Sequence, residues 1–169
     1  MPKFVRAVAF DFGHTLVHEG FVDERIELMP GVREVLPRIG LPMAVWANTR
    51  TAAEMEIRRL LKLARIEQYF SCVVTSVDAG FRKPAPGFFQ FAVMKSNFQK
   101  GEVLFVCNQL NTDVLGAEEF GIRTAWIAAP GFRSGDETMT LEDVKPSFIL
   151  AGLEELPSLL QEVSARSGP

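Results

Sequence analysis

The sequence predicts an α/β fold: a three-layer, Rossmann-like domain built on a mainly parallel central sheet. Short apolar runs alternate with helical patterns along the chain, which is typical of a sheet covered by helices on both faces. The chain has 169 residues, 47% of them hydrophobic and 23% charged, the balance of a soluble globular protein. No low-complexity or linker segment interrupts it. We therefore expect a single domain over residues 1–169.

The N-terminal third contains two of the predicted strands. Residues 4–10 are rich in β-forming side chains and stop at an aspartate, so we expect the first strand there. Pro30 and Gly31 open a short helix over residues 32–39, because proline suits the first helical turn. Met43–Ala47 is a second apolar run and predicts the second strand.

The middle of the chain predicts a longer helix and a third strand. Residues 51–64 are rich in Ala, Glu, Arg and Leu, which are mostly good helix formers. Thr51 and Glu54 have the spacing of a capping box, which predicts that the helix starts at this point. The short apolar run Cys72–Thr75 predicts the third strand.

The C-terminal half repeats this alternation. A proline opens the helix predicted over residues 86–97, and a glycine closes the helix predicted over residues 111–120. The strands predicted beside these helices are Val103–Cys107 and residues 124–128. The elements predicted after them are a sixth strand over residues 147–150 and a last helix over residues 153–163.

Composition and charge limit the partners and the compartment. The formal net charge of −3 leaves no basic surface of the kind that binds nucleic acid or an anionic membrane. No stretch is long and apolar enough for a membrane span, and the first apolar run is too short for a signal peptide. Cys72 and Cys107 form no C-x-x-C motif and no disulfide framework. We expect a cytoplasmic protein that binds neither nucleic acid nor membrane.

Polar residues of the types that catalyse reactions or bind ligands follow successive predicted strands. They are Asp11, Asn48, Lys83 and the pair Asn108 and Asp113. In parallel sheets, ligands bind beyond the carboxyl ends of the strands, so these side chains are expected to meet at one edge. Turns are rich in Asp and Asn for local reasons, and each residue alone carries little weight. Their recurrence predicts a functional site.

Four segments resemble the motifs of the haloacid dehalogenase-like (HAD) superfamily. Residues 9–16 (AFDFGHTL) resemble its first motif, a strand followed by D-x-D-G-T-L, and residues 44–48 (AVWAN) resemble a strand ending in Ser/Thr-Asn. Residues 80–86 (GFRKPAP) resemble the third motif, where Lys-Pro opens a helix. Residues 103–121 resemble the fourth, a strand followed by G-D-x-x-x-x-D. The four occur in family order, which makes the resemblance specific.

This resemblance implies a HAD-like, Mg²⁺-dependent phosphatase that acts on a phosphorylated substrate through an aspartyl-phosphate at Asp11. A carboxylate nucleophile and a phosphoryl group repel each other unless cations lie between them, and Mg²⁺ takes hard oxygen ligands. The implied catalytic residues are Asp11 and Lys83. The implied substrate or phosphate ligands are Asn48, Thr15 and Lys83, and the implied metal ligands are Asp11, Gly13 (through its carbonyl), Asn108 and Asp113.

Three positions depart from the family pattern. Gly13 stands where most phosphatases of the family carry the aspartate that acts as general acid and base, a role worth about 10²–10⁴ in rate. Ala47 replaces a phosphate-binding hydroxyl, and Asn108 replaces an anionic metal ligand. His14 replaces the glycine of the motif, and we interpret it as a tolerated loop residue. These departures predict weakened activity.

The spacing of the motifs predicts no separate cap domain. The gaps on either side of Asn48 are too short for one, and residues 14–29 have room only for a short flap. Two alternatives to a phosphatase stay open: a catalytically impaired HAD-like binding or interaction module, and a 2-haloacid dehalogenase. The dehalogenase is the weaker, because such relatives usually have an aromatic residue at position 13 and a cap.

The helix predicted after Pro86 has an apolar arc wider than one surface helix needs. Phe88 and Phe91 share one face, and Phe89 and Val93 share the next. We favour a deeply buried helix. The alternative is a homo-oligomer in which the second face packs against another subunit.

Overall fold

The computed structural model describes residues 4–18, 25–133 and 137–164, and a six-stranded, fully parallel sheet forms its centre. The strands are β1 (Ala7–Phe10), β2 (Met43–Ala47), β3 (Cys72–Thr75), β4 (Val103–Cys107), β5 (Arg123–Ile127) and β6 (Phe148–Leu150). They lie in the order β3-β2-β1-β4-β5-β6. The order reverses beside β1, which opens a crevice at the carboxyl ends of β1 and β4.

Helices cover both faces of this sheet. They are α1 (Val32–Val35), α2 (Glu54–Leu63), α3 (Ser76–Ala79), α4 (Pro86–Ser96), α5 (Leu115–Phe120) and α6 (Leu156–Val163). Alternate residues of a strand point to opposite faces, so Val8 and Phe10 join one buried cluster and Ala7 and Ala9 join the other. The predicted fold class, an α/β three-layer domain with a mainly parallel sheet, is confirmed. Within the described ranges, no separate cap domain is present.

The predicted capping box is wrong. Helix α2 begins at Glu54 rather than Thr51, and Ala53 precedes it without a side-chain cap. The Glu54 N–H instead donates a 2.9 Å hydrogen bond to Asp78 Oδ2 of α3, while the Glu54 carboxylate accepts one from Lys95. A tertiary contact has replaced the local cap.

Other helix boundaries also differ from the predictions. α1 ends at Val35 and continues as a 3₁₀ turn, Leu36–Arg38, because Pro37 has no N–H for the next helical bond. The predicted helix over residues 111–120 starts one residue earlier as a wide π turn, Leu110–Val114, before α5. Such wide turns often occur at functional sites.

Each of the two apolar faces predicted for helix α4 contributes a buried phenylalanine. Phe88 and Phe89 are both fully buried, and Phe89 packs against the rings of Trp46, Phe105 and Phe120. The second apolar face therefore serves the core of this chain. The preferred interpretation, a deeply buried helix, agrees with the structure, and the homo-oligomer stays an untested prediction.

The segment predicted as a short flap is only partly described, because residues 19–24 lie outside the described ranges. Its two ends pair with each other: Val17 bridges to Gly13 and to Leu28, and His18 N donates to Glu27 O. Among the described residues, no helix is both long and apolar enough to cross a bilayer.

Candidate active site

The carboxyl ends of the strands bring the predicted residues to one cavity of about 280 Å³. Five of them line it: Asp11, Gly13, Asn48, Lys83 and Asp113. Asp11 follows β1 and Asn48 follows β2 directly, whereas Asp113 reaches the cavity from the π turn after β4. The cavity therefore lies where the strand order reverses, the usual ligand position in open α/β sheets.

Lys83 lines the cavity and is almost completely buried. Its Nζ is 2.8 Å from Asp11 Oδ1 and 2.8 Å from Asp113 Oδ1, and it donates a third, 3.0 Å bond to the carbonyl of Trp46. All three ammonium donors thus have acceptors. Burial lowers the pKa of Lys83, but the two carboxylates outweigh that effect and raise its pKa above the ordinary value. Lys83 is therefore charged at physiological pH.

Asp113 is buried as deeply as Lys83. Burial, followed by the negative charge of Asp11, raises the pKa of Asp113, although the contact with Lys83 opposes this increase. One ammonium thus faces two carboxylates, and the buried group carries an excess negative charge when both acids are ionised. This excess favours the uptake of a proton or a cation at the cavity.

Asn48 fixes the backbone of Lys83. Its Oδ1 accepts a 2.9 Å hydrogen bond from Lys83 N, and its Nδ2 donates a 3.0 Å bond to Lys83 O. These two bonds fix the Lys83 backbone, while its ammonium contacts Asp11 directly. Asn48 also lines the cavity, as its predicted contact with the substrate requires. That contact stays a prediction.

Thr15 and Asn108, the other two predicted site residues, are fully buried and do not line this cavity. Thr15 Oγ1 donates a 3.4 Å bond to Asn108 Oδ1, and Asn108 Nδ2 donates a 2.7 Å bond to Phe132 O. Trp126 Nε1 binds the backbone carbonyl of Asn108 at 2.9 Å. The side-chain amide thus has protein partners at both ends. Metal ligation by Asn108 and phosphate binding by Thr15 remain predictions.

The chemistry of the cavity donors fits a hard divalent cation. Asp11 and Asp113 each place one oxygen on the shared Lys83 ammonium, and Gly13 lines the same cavity. Within the described part of the chain, no group of three His, Cys, Asp or Glu side chains is placed to hold a metal. Mg²⁺ needs only one or two protein carboxylates, because it keeps several waters.

His14 occupies a tight turn after Gly13, with a left-handed backbone conformation (φ 56°). Such a conformation is uncommon for residues other than glycine, although His tolerates it better than most. Among the described residues, His14 is not part of the cavity wall. This placement agrees with its interpretation as a tolerated loop residue.

Five further residues line the cavity that the sequence analysis did not predict as site residues. They are Arg82, Gln109, Asn111, Thr112 and Glu137. Gln109, Asn111 and Thr112 lie between the predicted residues Asn108 and Asp113, and Arg82 precedes the predicted Lys83. Proximity to the motifs was therefore an available signal. Glu137 had no such signal, because it comes from a distant segment and accepts a hydrogen bond from the Leu110 N–H.

Comparison with known proteins places this geometry in a family. Residues 8–127 match the haloacid dehalogenase-like hydrolase family. The chain is 28% identical to (S)-2-haloacid dehalogenase 2 of Pseudomonas sp. (strain CBS-3), over 74% of this chain and 51% of that protein. It is 31% identical to a glyceraldehyde 3-phosphate phosphatase of Pyrococcus abyssi, over 58% of this chain and 41% of that protein. The chain thus spans about half the length of these relatives or less.

A solved structure shares this fold over nearly the whole length of both chains. A Listeria monocytogenes protein of uncharacterized function superposes with a TM-score of 0.78 at 26% identity, over 94% of this chain and 98% of that chain. The family match covers most of the chain, including the strand ends that carry Asp11, Asn48, Lys83 and Asp113. This chain belongs to the haloacid dehalogenase-like hydrolase family.

Proposed function

We propose that the chain is a Mg²⁺-dependent phosphomonoester hydrolase that acts through an aspartyl-phosphate at Asp11. The observation that carries the proposal is the buried Lys83 ammonium, held 2.8 Å from both Asp11 and Asp113. Burying a charged triad is costly unless its charges and hydrogen bonds are matched. A fold gains little from such a group at its surface cavity, whereas a phosphoryl-transfer site needs both its carboxylate and its cation.

The positions of these groups support a two-step reaction. Asp11 Oδ1 is held by Lys83, which leaves Oδ2 to attack the phosphorus of a substrate bound in the cavity. The Oδ2–P bond forms as the ester P–O bond breaks, and the leaving oxygen departs with the electron pair and takes a proton from water. A water molecule then attacks the phosphorus, breaks the Oδ2–P bond and restores the Asp11 carboxylate with release of inorganic phosphate.

The remaining cavity residues orient the reacting groups and neutralise their charge. Lys83 balances the charge of Asp11 and of the phosphoryl oxygens, and Asn48 keeps the lysine backbone in place. Asp11, Asp113 and the Gly13 carbonyl would hold Mg²⁺. When bound, the metal supplies positive charge that offsets the repulsion between carboxylate and phosphate.

Two other functions compete with this proposal. The losses at Gly13, Ala47 and Asn108 support a domain that only binds a partner, but retention of the complete Asp11–Lys83–Asp113 group favours catalysis. A 2-haloacid dehalogenase is among the similar proteins. Halide release therefore belongs in the same experiment.

A screen of phosphate monoesters, with and without Mg²⁺, tests the proposal. We expect phosphate release that depends on Mg²⁺ and disappears in Asp11→Asn, a change of almost identical size. Asp143→Asn is the matched control, because Asp143 is exposed and lies outside the cavity wall. Activity that survives in Asp11→Asn would refute the mechanism. Halide release from 2-chloropropionate without phosphatase activity would indicate the dehalogenase, and no turnover of either substrate class would favour the binding module.

A further inference from the structure

A second cavity of about 200 Å³ lies on the α2 side of the candidate active site, whose cavity, lined by Asp11 and Lys83, is called the catalytic cavity below. The two share Gly13 and Asn48 as wall residues, so they lie side by side at this point. The second cavity is mainly apolar. The other residues of its wall are Phe12, Val17, Thr49, Ala52, Ile57 and Leu60.

Position 13 belongs to the walls of both cavities, and glycine contributes only backbone there. A group bonded to a phosphate at Asp11 therefore lies next to the apolar cavity, on the other side of the wall residues that the two cavities share. An apolar protein cavity of about 150 Å³ is large enough to bind benzene, so the observed volume accommodates one aromatic ring.

The chemistry at position 13 selects the same kind of substrate independently. Without an acid beside the nucleophile, the leaving oxygen must depart without a proton from that position. A phenol has a pKa of about 10, like the Tyr side chain, whereas that of water is about 15.7. Phenolate is thus a far better unassisted leaving group than an alkoxide. Glu137 also lines the catalytic cavity, but its carboxylate is engaged as an acceptor by the Leu110 N–H.

We propose that the substrate class of this site is an aryl phosphate monoester, with its phosphoryl group at Asp11 and Lys83 and its ring in the apolar cavity beside α2. The inference rests on the proposed phosphatase function. Asp11 Oδ2 forms the bond to phosphorus, the P–O(aryl) bond breaks, and the phenolate leaves with the electron pair and is protonated by water. Water then hydrolyses the aspartyl-phosphate to inorganic phosphate.

The test fills the apolar cavity without touching the catalytic residues. Ala52 is a half-buried wall residue of this cavity, so Ala52→Phe places a ring where the substrate ring is expected. The matched control is Ala53→Phe, since Ala53 is also half-buried but is not part of either wall. Each variant is assayed for kcat/KM with phenyl phosphate and with glycerol 1-phosphate, after its folding has been checked by circular dichroism.

We expect wild type to prefer phenyl phosphate, and Ala52→Phe to lose at least about tenfold of that preference, the size of effect that a filled apolar pocket produces. Ala53→Phe should change the preference less than twofold. An equal loss for both esters, or no loss, in a folded Ala52→Phe protein would overturn the assignment of the ring site. Wild type that prefers glycerol 1-phosphate would overturn it as well.

A binding measurement separates this inference from the proposed function. Methyl NMR resonances of Val17 and Leu60 are recorded while phenyl phosphate is added to Asp11→Asn, which binds without turnover. Shifts at these methyl groups that are absent with glycerol 1-phosphate support the ring site, even if no ester is hydrolysed and the phosphatase proposal fails. Unchanged methyl resonances at saturating phenyl phosphate would refute the ring site, whatever the activity screen shows.

Discussion

Substitution of Gly116 by alanine is expected to disturb the active site through packing alone. Gly116 is a buried residue of α5, and it allows this helix to approach the segment that carries Lys83. A Cβ added at this position would lie 2.6 Å from Phe89 Cε2, 2.7 Å from Pro84 O and 2.8 Å from Pro84 Cα. Two of these three atoms belong to the backbone next to Lys83, so a side-chain rotation cannot relieve the contact.

The size of the effect follows from these distances. An ordinary Cβ contact begins near 3.4 Å, so α5 and the Pro84 backbone must separate by about 0.7 Å to clear Pro84 O. Overpacking of this kind costs about 1–3 kcal/mol, and the better helix propensity of alanine returns up to about 1 kcal/mol. We therefore expect Gly116→Ala to lower the free energy of unfolding by about 1–2 kcal/mol.

The same displacement should reduce catalysis, because Lys83 precedes Pro84 and its ammonium is held by contacts of 2.8 Å. Misplacement by about 1 Å can cost about 10²-fold in rate, so a shift of this size should lower kcat on the order of tenfold. Urea unfolding and steady-state kinetics measure the two effects. The control is Gly131→Ala, where an added Cβ meets nothing within 4 Å. A Gly116→Ala protein as stable and active as the wild type would refute this reasoning.

Three further predictions concern the charged group and its surroundings. Lys83→Met should lower the free energy of unfolding by about 3–5 kcal/mol in metal-free buffer, because it leaves two buried carboxylates without their cation; urea unfolding with no loss would contradict this. The pKa of Asp113 is raised to about 7 from an ordinary 3.8, so the folded protein binds the extra proton and its stability should fall as pH rises between about 4 and 7. Asp113→Asn should flatten this part of the pH–stability profile, and an unchanged slope would assign it to other groups. Asn108→Asp removes the donor to Phe132 O and should lower the free energy of unfolding in urea by about 1–3 kcal/mol. Combined with Gly13→Asp, it should tighten Mg²⁺ binding in calorimetry, since both changes add an anionic oxygen. Unchanged affinity for Mg²⁺ would place Asn108 away from the metal.

The order of strands and helices could be predicted because it depends on local patterns. Apolar runs of four or five residues bounded by turns, such as Met43–Ala47 and Val103–Cys107, form strands with the predicted bounds. The convergence of Asp11, Lys83 and Asp113 could also be anticipated. It follows from a topological rule, since the carboxyl ends of parallel strands share one edge.

Boundaries set by distant contacts could not be predicted. The start of α2 depends on Asp78, whose carboxylate caps the helix from another element, and no local pattern around Thr51 contains that information. The two apolar faces of α4 posed a similar problem. A hydrophobic face has the same sequence pattern whether it packs against its own core or against another subunit, and only the rings around Phe89 distinguish the two.

The parallel α/β architecture, the four motif positions and the absence of an acid at position 13 can all be read from the amino-acid sequence. Three features appear only in the folded chain: the bond from the Asn108 amide to Phe132, the position of Glu137 in the wall of the candidate active site, and the apolar cavity beside Gly13. The physical reason is the range of the interactions involved. Periodicity and turn chemistry act between near neighbours in the chain, whereas hydrogen-bond partners and cavity walls come from segments that meet only after the sheet and its helices have packed.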